Sequence, residues 1–153
     1  VKNDFLRADF LNLNNCTVEN QEIISEIISR LQKINSILKK ASLHVGYRIR
    51  DEIIFYMIYN QRYSLLAEEK AFDFQLMQKI LPRIQGSSAR IKEVLKELFA
   101  YTAGIQFEEK INIGDDAIDF VEDNSSLIYP RSAIKLAEMI KKMEEDRFTA
   151  YWI

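Results

Sequence analysis

TVENQEIISEIISRLQKINSILKKA, residues 17–41, carries Ile23, Ile24, Ile27, Ile28, Leu31, Ile34, Ile37 and Leu38 at spacings of three and four. That period winds the apolar residues into one stripe of an α-helix, with Thr17 placed to cap its start. Glu22, Glu26, Arg30, Lys33 and Lys40 fall on the other face, acidic first and basic last, the order the helix dipole favours. A stripe this wide must be covered, and the rest of the chain supplies covers of the same kind. Tyr47 to Asn60 turns Ile49, Ile53, Ile54, Met57 and Ile58 inward, with Phe55, Tyr56 and Tyr59 widening the face. Ala71 to Leu81 is predicted helical and stops near Pro82, which cannot continue the hydrogen-bond ladder. Gly86-Ser87-Ser88 is a turn ending in a cap, and the helix after it runs to about Tyr101. Pro130 opens a last helix, to about Asp146, with Ile134, Ala137, Ile140 and Met143 facing the core.

Two stretches break the helical period. Between Gly104 and Tyr129 the residues Ile105, Phe107, Ile111, Ile113, Ile118 and Phe120 partly alternate with polar neighbours, and Gly114-Asp115-Asp116 can turn. A short hairpin or an irregular acidic loop is expected there. Phe148 to Ile153 is a short aromatic segment expected to form one strand. The fold class is therefore mainly α, a five-helix bundle-like domain with a small hairpin or irregular insertion and a short C-terminal strand.

Composition agrees. In 153 residues, 48% are hydrophobic and 29% charged, enough to bury a core and argue against a disordered chain. Only 4 Gly and 2 Pro occur, too little punctuation for a sandwich or barrel. The single Cys16 excludes a disulfide framework and a Cys-based zinc site. Lys and Arg total 21 against 23 Asp and Glu, so a nucleic-acid contact would have to be local. The longest apolar stretch, Ile53 to Tyr59, is far short of the ~20 residues that span a bilayer. A cytoplasmic protein without a membrane partner is the expectation. Val1-Lys2-Asn3-Asp4 lacks an initiator Met, and a piece of a longer protein is expected.

Most catalytic constellations are missing from the sequence. There is no G-x-x-x-x-G-K-[ST] and no G-x-G-x-x-G. His44 is the sole histidine, which reads as structural or merely exposed rather than as a metal ligand. Glu68-Glu69-Lys70 and Glu108-Glu109-Lys110 match the E-x-K of Mg²⁺ nucleases but lack the preceding Asp, so they read as surface charge. Asp115, Asp116, Asp119, Glu122 and Asp123 lack the spacing and Gly of a calcium loop and read as a solvated loop face. No metal and no catalytic residue is assigned. What remains is positive charge near helix ends: Arg48 and Arg50 at the start of the second helix, Arg83 after Pro82, and Arg131 after Pro130. Cations at helix starts are disfavoured unless an anion joins them, and salt bridges are the ordinary way of meeting that need.

Three blocks of the chain, the last running from Tyr129 to Trp152, carry a resemblance. LHVGYRIRDEI (43–53), FDFQLMQKILPRIQGS (72–87), YPRSAIKLA (129–137) and EEDRFTAYW (144–152), in that order, resemble the C-terminal helical lid of McrB-like AAA+ motor proteins. LQKIN (31–35) is similar to the helix that leaves the nucleotide core of those proteins. The resemblance spans Leu31 to Trp152. It implies that residues 17–153 are the lid and residues 1–16 the end of the preceding nucleotide-binding core or a linker. It implies a GTP- or ATP-hydrolysing subunit of a modification-dependent DNA restriction system, working with Mg²⁺. The partners implied are neighbouring subunits of a homo-oligomeric ring, a McrC-like nuclease subunit, and DNA through the parent complex. The lid closes over nucleotide and passes its state to the neighbours, and a cation at a helix start senses the phosphates. Arg48, Arg50 and Arg131 are the nucleotide-sensing candidates. Many relatives carry His-Ser after the glycine, where this chain has Tyr47-Arg48.

This chain holds no complete active site and no cofactor of its own; the resemblance makes it part of an NTP hydrolase. The alternatives are a helical module that binds protein or DNA with no nucleotide role, and a nuclease using one E-x-K. With no phosphate loop in the chain, the purified protein is expected to bind GTP and ATP no tighter than ~1 mM and to hydrolyse neither. Isothermal titration and phosphate release with Mg²⁺ check this.

Overall fold

The computed structural model describes residues 20–106, 115–123 and 126–152. It is mainly α, as the periodicity predicts. Helix α1 spans Gln21–Leu38 and tightens into a 3₁₀ turn at Lys39–Ala41. Thr17, the expected cap, lies outside the described residues. Ile23, Ile24, Ile27, Leu31, Ile34 and Leu38 are buried along the stripe, while Ile28 and Ile37 flank it half-buried. Helix α2, Tyr47–Tyr63, packs on α1 with Ile53, Ile54, Met57 and Ile58 inward.

Helix α3 begins at Glu68, three residues before the predicted start, and runs regularly to Gln75. It then widens into a π turn at Leu76–Ile80 and closes with a 3₁₀ turn at Leu81–Arg83. Pro82 explains the irregularity. Its ring would meet the carbonyl four residues back and it has no N–H to give, so the ladder must open ahead of it. Ser88 caps α4, Ala89–Ala103, by accepting the Ile91 N–H at 3.2 Å. Gly104 ends α4 in the left-handed region (φ 78), and its N–H reaches the Ala100 carbonyl at 3.0 Å.

Asp115–Asp123 departs from the sequence reading. It is a helix, α5, packed on α6, where a hairpin or irregular loop is expected; residues 107–114 lie outside the described residues. Ala117 is fully buried, Phe120 meets Phe99 edge-on at 6.1 Å, and Ile118 and Val121 lean on the core. Positions 117, 118, 120 and 121 share one helical face. Asp116, Asp119, Glu122 and Asp123 are exposed, so this stretch of acids is the solvent side of a helix.

Helix α6, Pro130–Asp146, sits where predicted and packs against α4, α5 and α3. Its inward stripe is Ala133, Leu136, Ala137, Ile140 and Met143. Ile134, expected inward, is 44% exposed, because it falls one position off that stripe. After α6 comes the expected strand, β2 (Thr149–Ala150). It pairs antiparallel with β1 (Gln85–Gly86), Gln85 opposite Ala150 and Gly86 opposite Thr149.

One buried carboxylate joins α3 to α6. Asp73 is 1% exposed and accepts the N–H groups of Arg131 and Ser132, each at 2.9 Å. The Ser132 hydroxyl lies 2.5 Å from the same carboxylate. These N–H groups have no intrahelical partner, so α6 is capped by a residue nearly sixty positions away in the chain rather than by its own neighbour. Asp73→Ala is expected to cost about 2–4 kcal/mol, since it strands buried donors, whereas Glu122→Ala on the exposed face of α5 should stay within ~0.5 kcal/mol. Urea titrations followed by circular dichroism measure both.

Candidate functional site

The connection into α2 is fixed before the helix begins. Asn35 on α1 donates to the Val45 carbonyl at 3.1 Å and accepts the Val45 N–H at 2.8 Å. Val45 itself is buried. Gly46 then occupies the cap position in extended conformation and offers no side chain to the first turn. Tyr47 and Arg48 leave that turn into solvent, 77% exposed for the tyrosine and 91% for the arginine side chain.

Four cations gather around this end of α2. Arg48 has one tie, to Glu52 at 3.4 Å, one helical turn on. Glu52 is shared with Lys79 from the π turn of α3, at 2.9 Å. The Lys79 hydrogen bond holds the Glu52 carboxyl below the usual range, with burial opposing. The Arg50 guanidinium stands over the Tyr47 ring at 4.6 Å and donates to Asp51 at 2.9 and 3.0 Å. Arg83, after Pro82, reaches the His44 carbonyl at 3.5 Å. His44 is exposed. Two carboxylates thus face four cations, and Arg48, paired with Glu52, keeps a side chain that is almost wholly exposed.

The structure therefore separates the three candidates. Arg48 and Arg50 share the start of α2 but differ in use: Arg50 is spent on Asp51 and Tyr47, while Arg48 projects outward. Arg131 stands on another helix, α6, its backbone N–H held by Asp73 at 2.9 Å and its guanidinium over the Phe74 ring at 4.8 Å. Nothing local in the sequence marks Lys79 or Asn35. Only the turn ahead of Pro82 brings Lys79 across to α2.

A second charge cluster lies on α1. Arg30 donates to Glu26, to Glu69 at 2.8 Å, and stands 4.0 Å from Glu68, with its guanidinium over Phe72 at 5.3 Å. The Glu68-Glu69 pair of the first E-x-K is thus engaged with an arginine. Burial, then the neighbouring Glu26 carboxylate, raises the Glu68 pKa above its ordinary value. Beneath lie Tyr129 and Tyr101, stacked at 6.0 Å, and burial drives the Tyr129 hydroxyl far above the ordinary phenol range. The second E-x-K lies outside the described residues.

A small, mainly α domain with a cation-bearing helix start is the class this geometry defines. The chain belongs to the family described as "Domain of unknown function (DUF8727)", whose model matches residues 1–148. No curated protein and no solved structure matches it.

Arg48→Ala is expected to leave stability within ~0.5 kcal/mol, the ordinary cost at an exposed site. Glu52 behaves differently. Its folded pKa is lowered, so its contribution is present above the ordinary carboxylate range and is lost as pH falls through the lowered value. Thermal melts from about pH 7 down to about pH 3 should show a shallower acid-side decline in Glu52→Gln than in wild type.

Proposed function

We propose that this chain is the C-terminal lid of a McrB-like AAA+ motor subunit in DNA restriction, closing over GTP or ATP and passing the nucleotide state to neighbouring subunits. One observation carries the reading: the three blocks that bear the resemblance are joined to one another in space. Asp73 of the second block caps the helix opened by Arg131 and Ser132 of the third. Gln85–Gly86 of the second pairs with Thr149–Ala150 of the last. Lys79 of the second binds Glu52 of the first.

Within that reading the chain's own task is electrostatic. Nucleotide and Mg²⁺ in the parent supply the cleavable bond and its metal; Arg48 supplies a cation that needs no proton to stay charged and whose planar fork suits two phosphate oxygens. Its single weak tie to Glu52 is readily exchanged for an anion. Rotation of the bundle then acts on adjoining subunits of a cytoplasmic homo-oligomeric ring, which drives a McrC-like nuclease on DNA.

The experiment has two parts. The coding sequence upstream of Val1 should contain a Walker-type phosphate loop. In the parent protein, Arg48→Ala should lower steady-state nucleotide hydrolysis by ~10–1,000-fold with unchanged thermal melting, and Arg50→Ala should lower it less. Equal hydrolysis in Arg48→Ala and wild type would return that arginine to a purely structural role.

A further inference from the structure

At the opposite end of α2, the first turn of α1 and the loop from Ser64 to Ala67 enclose an open hollow of about 390 Å³. Its lining includes Ile23, Met57, Leu65, Leu66, Ala67 and Glu68. The loop wall is held in shape by the protein itself. Asn60, 3% exposed, accepts the Leu66 N–H at 2.9 Å and donates to the Leu66 carbonyl at 3.0 Å. Ser64, in the left-handed region (φ 49), ends the helix by donating its N–H to the Asn60 and Gln61 carbonyls. With Leu66 clamped and packed against the core, Leu65 is left 64% exposed, beside Tyr63 stacked on Tyr59 at 6.2 Å. A large apolar side chain held out on a fixed wall is surface that a partner can still bury. A partner that finds the wall already ordered avoids most of the ordering cost.

The rim has a sign. Glu68 belongs to the lining, and its carboxylate stands within 4.8 Å of those of Glu26 and Glu69. Three carboxylates share the one guanidinium of Arg30, whose side chain is only 14% exposed, while the acids face solvent. Around Arg30 the excess is negative, next to the apolar wall of Leu65 and Leu66.

We propose that this groove docks an amphipathic segment of a partner protein, leucine-rich on one face and lysine- or arginine-rich along its flank. The apolar face packs on Leu65, Leu66 and Ala67, and the flanking cations meet Glu68, Glu69 and Glu26. This surface stands apart from the start of α2, so the proposal holds or falls independently of the nucleotide reading.

The test uses the whole chain and fluorescein-labelled Leu/Lys and Leu/Glu amphipathic peptides about four helical turns long, read by fluorescence anisotropy. The Leu/Lys peptide should bind at least ~10-fold tighter than the Leu/Glu peptide, with the preference shrinking in high salt. Leu65→Asp should weaken it by ~10-fold or more, and Glu68→Lys should abolish the preference. Ile134→Asp, on the exposed side of α6, should leave binding unchanged, and thermal melts of each variant verify folding. Equal binding of both peptides, or Leu65→Asp and Ile134→Asp behaving alike, overturns the proposal. So does a wild-type dimer in sedimentation that Leu65→Asp dissolves, which assigns the groove to a second copy. Peptide binding that needs Phe5→Asp and Phe10→Asp first gives the groove to the chain's own leading residues, and overturns it too.

Discussion

The Asp73 carboxylate is almost wholly removed from solvent, a position that ordinarily costs several kcal/mol for an ionised group. It is sustained there because two backbone N–H groups at the start of α6 and the Ser132 hydroxyl converge on it, and because the positive end of a 17-residue helix points at it. The dependence runs both ways. Without Asp73, α6 begins with buried donors that nothing else meets; without α6, Asp73 is a bare charge in the core. Neither helix can shift along the other without breaking both sets of bonds. That fixed register is what lets the chain leaving α6 return over β1 and seal the end of α3.

Once α3 and α6 are pinned, the irregular end of α3 acquires its use. The π turn ahead of Pro82 swings Lys79 toward Glu52 and places Arg83 by the His44 carbonyl. The start of α2 is therefore assembled from three separate stretches, the Asn35 clamp, the helix itself and the tail of α3. Charge there is uneven by construction. Glu52 is divided between Lys79 and Arg48, Asp51 is taken by Arg50, and the Arg48 side chain projects into solvent. A helix start that already repels cations gains from an external anion more than a neutral surface would.

How much of this the sequence discloses follows from the range of each interaction. The stripes of α1, α2, α4 and α6 are periodic within a few turns, so their residues announce them. Ser88 as a cap and Pro130 as an opener are equally local. Helix α5 is short, and the alternation of Ile118 and Phe120 with Asp119 mimics a strand over the few residues where it occurs. Ile134 misleads for the reverse reason: it is apolar yet one position off a stripe set by smaller alanines. Among site residues, Arg48 and Arg50 are legible because a glycine precedes them. Asp73 sits between two phenylalanines, and its partners are nearly sixty residues away; Asn60 looks like a polar lapse in an apolar face until Leu66 is seen to bond it twice. Long-range polar contacts leave no period to read.

The two surfaces singled out above lie at opposite ends of one helix. Seventeen residues of α2 separate them by ~25 Å at 1.5 Å per residue. The helix is anchored near its start by Glu52–Lys79 and at its end by the Asn60–Leu66 clamp, with Ile53, Ile54 and Met57 gripping the core between. Such a rod does not bend within its own length; it can only rotate against α1 and α3. A tilt of about 10° would move one end ~4 Å relative to the other. Displacing Glu52 from Arg48 leaves that carboxylate wholly to Lys79 at the anchor nearest the cations. The clamp at the far end forms the wall of the groove. The helix that presents the exposed arginine is thus the same element that shapes the groove.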